Sequence, residues 1–398
     1  MNLLGIPAEF FIFGFTLLAV ALFHRQALLA AVSGLAITLV YKFLVLGLVG
    51  GGSWLVGHAG HEWSTLVNLF LLLVGFAVLA NQFELSAIPD AMPRVLPDNW
   101  TGGLVLLFIV FWISTFLDNI AAAIIGGVIA KHVYRGKVTV GFLAGIVAAS
   151  NAGGAGSVIG DTTTTMFWIS GVSPLAVAGA FVASLAAFAV FGPLAALQQH
   201  RVSPIVKDSV TPPGGIEWAR GIVVLILLGA IVSVNLLGNA YLPGVLDQLP
   251  LLGVGLWIAI AGTALWRRPQ WAVLPGAAKG ASFLISLVAL ASLMPVDHLP
   301  AASWQTTLGL GFVSAVFDNI PLTALALRQG GYDWGMLAYA VGFGGSMLWF
   351  GSSAGVALSN LYPEIRSIGI WLRLAWYVPV AYVVGFAALL WTLGWHPT

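Results

Sequence analysis

Ser114-Thr-Phe-Leu-Asp118-Asn119-Ile120 and Ser314-Ala-Val-Phe-Asp318-Asn319-Ile320 share the frame Ser-x-x-x-Asp-Asn-Ile, with the two acids 318 − 118 = 200 positions apart. Each frame sets a carboxylate and an amide inside an apolar run. A second pair of stretches follows. Gly153-Gly154 leads to Gly160 and is closed by Asp161, and Gly344-Gly345 leads to Gly351 and is closed by Ser352. A carboxylate held away from water costs several kcal/mol unless a proton, a cation or a hydrogen-bond donor compensates it. Such a group can hold a proton or a cation, but not both at once, and that exclusion is the elementary chemistry of ion exchange.

Asp118, Asp161 and Asp318 are the acids that the apolar pattern places at membrane depth, and they are the candidate ligands of Na⁺ or Li⁺. Asn119, Asn151 and Asn319 add amide oxygens, and Thr162, Thr163, Thr164, Thr165, Ser346, Ser352 and Ser353 add hydroxyls. Hard oxygen donors suit Na⁺, Li⁺ and H⁺ in competition better than a soft metal. The glycines read as helix breaks, which free backbone carbonyls for a cation and aim half-helix N-termini at the same place. A plainer reading stands beside this one. The acids could cap broken helices, the hydroxyls of Thr164 and Thr165 could bond back to a helix carbonyl, and the glycines could serve close packing.

These residues need a scaffold, and the composition says which kind. Of 398 residues 60% are hydrophobic and 7% charged, with a mean hydropathy of +0.99. That balance belongs to an all-α polytopic membrane protein whose partner is the lipid bilayer. Apolar segments of about 20 residues cross a bilayer as helices, and strands of alternating polarity are not indicated. With no cysteine, neither a disulfide framework nor a thiolate site is possible. No phosphate-binding loop argues for an ATP-driven pump, no enzyme activity, cofactor or nucleic-acid partner is expected, and small ions are cargo. His58, His61 and Glu62 suggest a zinc site only superficially, because their glycine-rich surroundings do not read as a helix.

The apolar runs predict spans near 3–23, 27–48 and 64–83, a re-entrant hairpin over 101–133 with Asp118 at its tip, a broken helix over 139–170 and a span at 174–197. After a polar stretch they recur near 220–238, 251–266 and 272–294, with a hairpin over 303–328, a broken helix over 333–361 and a last span at 367–395. Residues 1–199 and 220–398 thus form two repeats of five crossings each, joined by a cytoplasmic linker over 200–219. An odd number of crossings inverts the second repeat. With both termini outside, the positive-inside rule puts Arg25, Arg94, Lys131, Arg135, Lys137, Arg201, Lys207, Arg220, Arg267, Arg268, Arg366 and Arg373 in the cytoplasm and leaves Arg328 outside. Lys42 and Lys279, the cations inside predicted spans, are expected to snorkel to the interface.

Ser150-Asn-Ala-Gly-Gly-Ala-Gly-Ser-Val-Ile-Gly-Asp161-Thr-Thr-Thr-Thr, Asp318-Asn-Ile-Pro321 and Gly344-Gly-Ser-Met-Leu-Trp-Phe-Gly-Ser-Ser-Ala-Gly-Val356 resemble the NhaD-type sodium/proton antiporters of the ion transporter superfamily. The resemblance covers both halves. It implies exchange of Na⁺ or Li⁺ for H⁺ across the inner membrane of the cell, a homodimer, and a mobile transport region that moves as an elevator against a scaffold. It also implies that Asp118, Asn119, Asp161, Asp318 and Asn319 take part in ion binding. Ala121-Ala122 depart from the hydroxyl residues common in the family, and Trp349-Phe350 fill a stretch that is usually smaller. Sodium-coupled symport of a small carboxylate or other anion is the rival reading, although no arginine or lysine lies near the breaks to clamp an anion. A channel or a non-transporting scaffold comes third.

Overall fold

The computed structural model describes residues 2–3, 6–23, 26–88, 96–205, 215–241, 249–317 and 319–398. Apart from a two-residue antiparallel pairing of Asn2–Leu3 with Ile6–Pro7, its regular structure is helical. The first helices are α1 (Ala8–Leu22), α2 (Ala27–Leu85), α3 (Trp100–Phe116), α4 (Asn119–Val133), α5 (Val140–Ala155), α6 (Thr162–Ile169), α7 (Pro174–Ala178) and α8 (Ala180–Val202). Then come α9 (Trp218–Tyr241), α10 (Leu251–Ala264), α11 (Leu274–Ser292), α12 (Trp304–Ser314), α13 (Asn319–Gln329), α14 (Trp334–Gly344), α15 (Ser353–Leu361), α16 (Ile368–Leu374) and α17 (Tyr377–Thr392), with short 3₁₀ turns between some of them. Among the described residues, Ala27–Val45, Trp63–Leu85, Pro174–Val202 and Trp271–Ser292 are long and apolar enough to cross a membrane, and the bent pair α16 and α17 together makes one more. The chain is a polytopic membrane protein, and the rest of its apolar helices are shorter.

Three local departures from the sequence reading have simple causes. The first span is shorter than expected because Pro7 sits at the helix N-cap, where its missing N–H costs nothing, and the helix begins at Ala8. The two spans expected at 27–48 and 64–83 lie on one helix, α2. The glycine-rich segment around His58 and His61 carries no proline, so every backbone N–H remains available and the helix runs through it. The last span is bent by 58° between α16 and α17. Pro379 explains the bend, since its ring would clash with the carbonyl of residue 375 and it cannot return the hydrogen bond a straight helix needs there.

Contacts divide the chain into two compact units, each drawn from both halves of the sequence. Unit 1 comprises residues 1–81, 222–300 and 320–329. In it α2 and α10 are joined by Gly253 N donating to Asn68 Oδ1 at 2.7 Å and Trp257 Nε1 donating to Leu71 O at 2.9 Å. Asn81 exchanges two hydrogen bonds with Gln270, and Lys42 meets Glu9 across α2 and α1 at 3.8 Å.

Unit 2 comprises residues 82–221, 301–319 and 330–398. Its centre is α5 and α14, in which every residue but Trp334 is buried. Thr139 caps α5 by accepting from Phe142 N, and Asp333 caps α14 by accepting from Met336 N. Helices α3 and α4 form a hairpin: a Cβ on Gly126 would lie 2.5 Å from Val110 Cγ2, although the two residues stand 126 − 118 = 8 and 118 − 110 = 8 positions from Asp118. At the edge of this unit Arg220 donates to Glu217 at 2.8 Å and to the buried Gln82 at 2.6 Å, while Glu217 N donates to Ser86 O.

Candidate functional site

Two helix breaks face the tips of unit 2, and the same backbone interactions build both. The glycine pairs are 344 − 153 = 191 positions apart, an offset that pairs Ser150 with Val341, Asn151 with Gly342, Ala155 with Ser346, and Asp161 with Ser352. Ser114 Oγ donates to Ser150 O at 2.5 Å, and Ser314 Oγ donates to Val341 O at 2.7 Å. A side chain on Gly153 would strike Phe111 O, and one on Gly344 would strike Gly311 O. A Cβ on Gly154 would lie 2.6 Å from Gly160 O, as would one on Gly345 from Gly351 O. The glycines are therefore needed twice over, to let a helix touch the hairpin arm and to let the broken ends touch each other.

The residue that closes each break restarts a helix. Asp161 lies at φ −143°, ψ 145° and accepts from Thr163 N at 3.4 Å, while Ser352 lies at φ −140°, ψ 151° and accepts from Gly355 N at 3.3 Å. Asp161 is thus a helix cap as well as a candidate ligand, and only one of its oxygens makes the cap bond. Asn319 Nδ2 donates to the other, Oδ2, at 3.4 Å. Asp161 is 2% exposed and Asn319 equally so, which keeps this carboxylate out of reach of bulk water. Asp118 is different. It precedes α4 but its side chain makes no capping hydrogen bond, it is half-buried, and its carboxylate lies close enough to that of Asp161 for the two charges to repel.

The remaining predicted residues form a chain of neutral groups. Asn119 Nδ2 donates to Asn151 Oδ1 at 3.1 Å, and Asn151 Nδ2 donates to Ser346 Oγ at 2.9 Å and Ser352 Oγ at 3.0 Å. All four side chains are buried. Thr162, also buried, is the first residue of α6. Asp318 lies outside the described residues. The hydroxyls of Thr164 and Thr165 donate to Asp161 O at 2.9 and 3.0 Å, the back-bonding that competes with ligation. Thr163, one of the run Thr162–Thr165 expected to supply hydroxyls, is fully buried two residues from Asp161 and its hydroxyl has no hydrogen-bond partner. A run of four threonines gives no signal of which one is left with an unused oxygen.

The arrangement is a set of hard oxygens around a carboxylate pair, assembled from both halves of the sequence. Among the described residues no group of His, Cys, Asp and Glu is suited to a multivalent metal. No protein-family model matches the chain. Sodium/proton antiporter 1 of Arabidopsis thaliana is 28% identical over 90% of this chain and 68% of its own length. The Na⁺/H⁺ antiporter NhaD of Halomonas elongata is 27% identical over 87% of this chain and 81% of its own length, and that of Vibrio parahaemolyticus is 28% identical over 75% and 83%. The likeness carried by the two glycine breaks thus extends along most of the sequence, and the chain is a relative of the NhaD-type sodium/proton antiporters.

Proposed function

We infer that the protein is a secondary antiporter that exchanges Na⁺ or Li⁺ for H⁺ across the cytoplasmic membrane. The observation that carries this reading is the buried Asp161 carboxylate, which has Asn319 on one oxygen, the cap of α6 on the other, and the Asp118 charge nearby. Two carboxylates that repel each other in a site with little water need either a proton or a cation between them. Loading one expels the other, and exchange follows when the site opens first to one side and then to the other. Asp118, Asp161, Asp318 and Asn319 bind the ion, with Thr162 and the orphan hydroxyl of Thr163 as further oxygens. The names of the relatives support antiport, and none of them supports symport of a carboxylate.

The finer architecture belongs to the same proposal. Residues 1–199 and 220–398 are inverted repeats of five crossings with a re-entrant hairpin each, the linker 200–219 is cytoplasmic, and both termini are outside the inner membrane. The paired interactions at the two breaks support the repeats, because a duplicated fold would reproduce such bonds residue for residue. Unit 2, which holds all the described site residues, is the mobile part of an elevator, and the chain works as a homodimer, as the resemblance to the family implies.

Calorimetric titration of the purified protein with Na⁺ between about pH 5.5 and 8.5 tests the shared site. Where the carboxylates are protonated, one competing proton weakens apparent affinity about tenfold per pH unit, by linkage. A flat Kd across the range refutes the mechanism, and Na⁺ binding that requires added citrate favours the symport rival.

A further inference from the structure

The two breaks share a backbone but exchange their side chains crosswise. At the break closed by Asp161, the carboxylate reaches over Gly342 of the opposite half: a Cβ there would lie 3.2 Å from Asp161 Oδ2 and 3.5 Å from the Ala155 methyl. At the break closed by Ser352, the residue in the place of Gly342 is Asn151, and the one in the place of Ala155 is Ser346. Asn319 of the second half donates to Asp161 of the first, and Asn119 donates to Asn151, which stands at the Ser352 break. Four positions thus form one set at the first break (Asp161, Gly342, Ala155, Asn319) and the corresponding set at the second (Ser352, Asn151, Ser346, Asn119).

The chemistry of the two sets differs in sign. In the second set the Asn151 amide nitrogen donates both of its hydrogens, to Ser346 Oγ and Ser352 Oγ, at 2.9 and 3.0 Å. It stands between two hydroxyl oxygens, where a cation would need to sit to be coordinated by them, and it presents positive hydrogens to both. Its own oxygen is occupied by Asn119. At the first break a glycine, Gly342, stands in the place of Asn151, so no side-chain amide comes from that position, and the buried hydroxyl of Thr163 has no hydrogen-bond partner. Its counterpart at the second break is Ala354, which offers no side-chain oxygen.

We propose that the Asn151 side chain is a built-in substitute for a cation at the Ser352 break, so that each chain binds a single Na⁺, at the Asp161 break. The second site of the duplicated fold is closed by an amide of the protein itself. Asn151, Ser346 and Ser352 then position the hairpin tip through Asn119 without touching the transported ion. This rests on the exchange mechanism proposed above.

The test counts ions on the purified full-length chain by calorimetry at about pH 8.5. Wild type takes one Na⁺ per chain, and Asp161→Asn takes none; a wild type that binds no Na⁺ refutes the exchange mechanism itself. Two ions per wild-type chain overturn the closed-site proposal while leaving exchange intact. Ser346→Ala copies the alanine already present at the other break, so the fold accommodates it, and Na⁺ affinity stays within about threefold of wild type. A loss of about tenfold or more with unchanged melting temperature makes Ser346 a ligand and overturns the proposal. The double variant Asn151→Gly with Ser352→Asp writes the acidic set into the second break, and its stoichiometry rises from one to two. A folded double variant that still binds one ion also overturns it.

Discussion

Unit 1 and unit 2 solve the membrane problem in opposite ways. Unit 1 carries long helices that face outward over much of their length, with Leu44 74% and Leu225 68% exposed, and polar side chains used sparingly between helices. Unit 2, beside the long α8, carries short helices cut by glycine at its centre, and those central ones are buried almost from end to end. A helix that satisfies its own backbone needs only an apolar surface to sit in lipid, so unit 1 has little need for particular side chains at particular places. A broken helix exposes carbonyls and N–H groups that something must satisfy, and unit 2 does so with serines, threonines, asparagines and an aspartate. The polar equipment that repairs the breaks is the same equipment that could hold an ion.

If that contrast is right, substitutions should matter by unit. The largest effect is expected from Asp161→Asn, which keeps a good helix cap and removes only the charge. Proteoliposome dye-quenching should show Na⁺-dependent proton flux at background, with the protein folded in detergent; wild-type rates would reduce Asp161 to a cap. Next come Gly153→Ala and Gly344→Ala, whose new methyls strike the backbone oxygens of Phe111 and Gly311. Each should destabilise by about 1–3 kcal/mol. Gly262→Ala in α10 of unit 1 meets nothing within 4 Å and should be neutral or stabilising by about 0.5–1 kcal/mol. Equal losses of melting temperature in all three would erase the contrast.

A smaller loss, about 1 kcal/mol each, is expected for Ser114→Ala and Ser314→Ala, which delete the matching hydrogen bonds to Ser150 O and Val341 O. Unequal values would show that the two breaks, built alike, are not equally loaded. The smallest effect belongs to Glu9→Gln in unit 1, where the pair with Lys42 at 3.8 Å is partly exposed and contributes about 0–1 kcal/mol. A melting shift as large as that of Gly153→Ala would mean that unit 1 also depends on a specific polar contact.

Much of the site can be read in the sequence because glycine spacing and acid-amide pairs have few other uses inside an apolar run. Asp161, Asn119, Asn151, Asn319, Ser346 and Ser352 all come together in unit 2. What cannot be read is which groups donate to which. Asn151 and Ser352 are 352 − 151 = 201 positions apart, and nothing in their spacing says that the amide of one would lie between two hydroxyls. The sequence reading runs the last span unbroken over 367–395, because a proline alone does not fix a bend: Pro193 lies inside the continuous α8, whereas Pro379 follows a break. The continuity of α2 is not visible in the sequence either, because glycines and polar residues mark a turn only when the rest of the fold makes use of one. Nor are the two units, since the helices of one half pack on those of the other by the fit of their faces.

The boundary between units falls inside a helix and between neighbouring residues. Asn81 is tied to Gln270 in unit 1 and Gln82 to Arg220 in unit 2, both on α2, which runs on to Leu85. Gly221 and Ile222, where the chain passes back, directly follow that same arginine. A loop at such a place would act as a slack cord, letting each side turn without the other noticing. The helix instead keeps its backbone hydrogen bonds through Asn81 and Gln82, so opening the chain at this point costs bonds that a loop would not have.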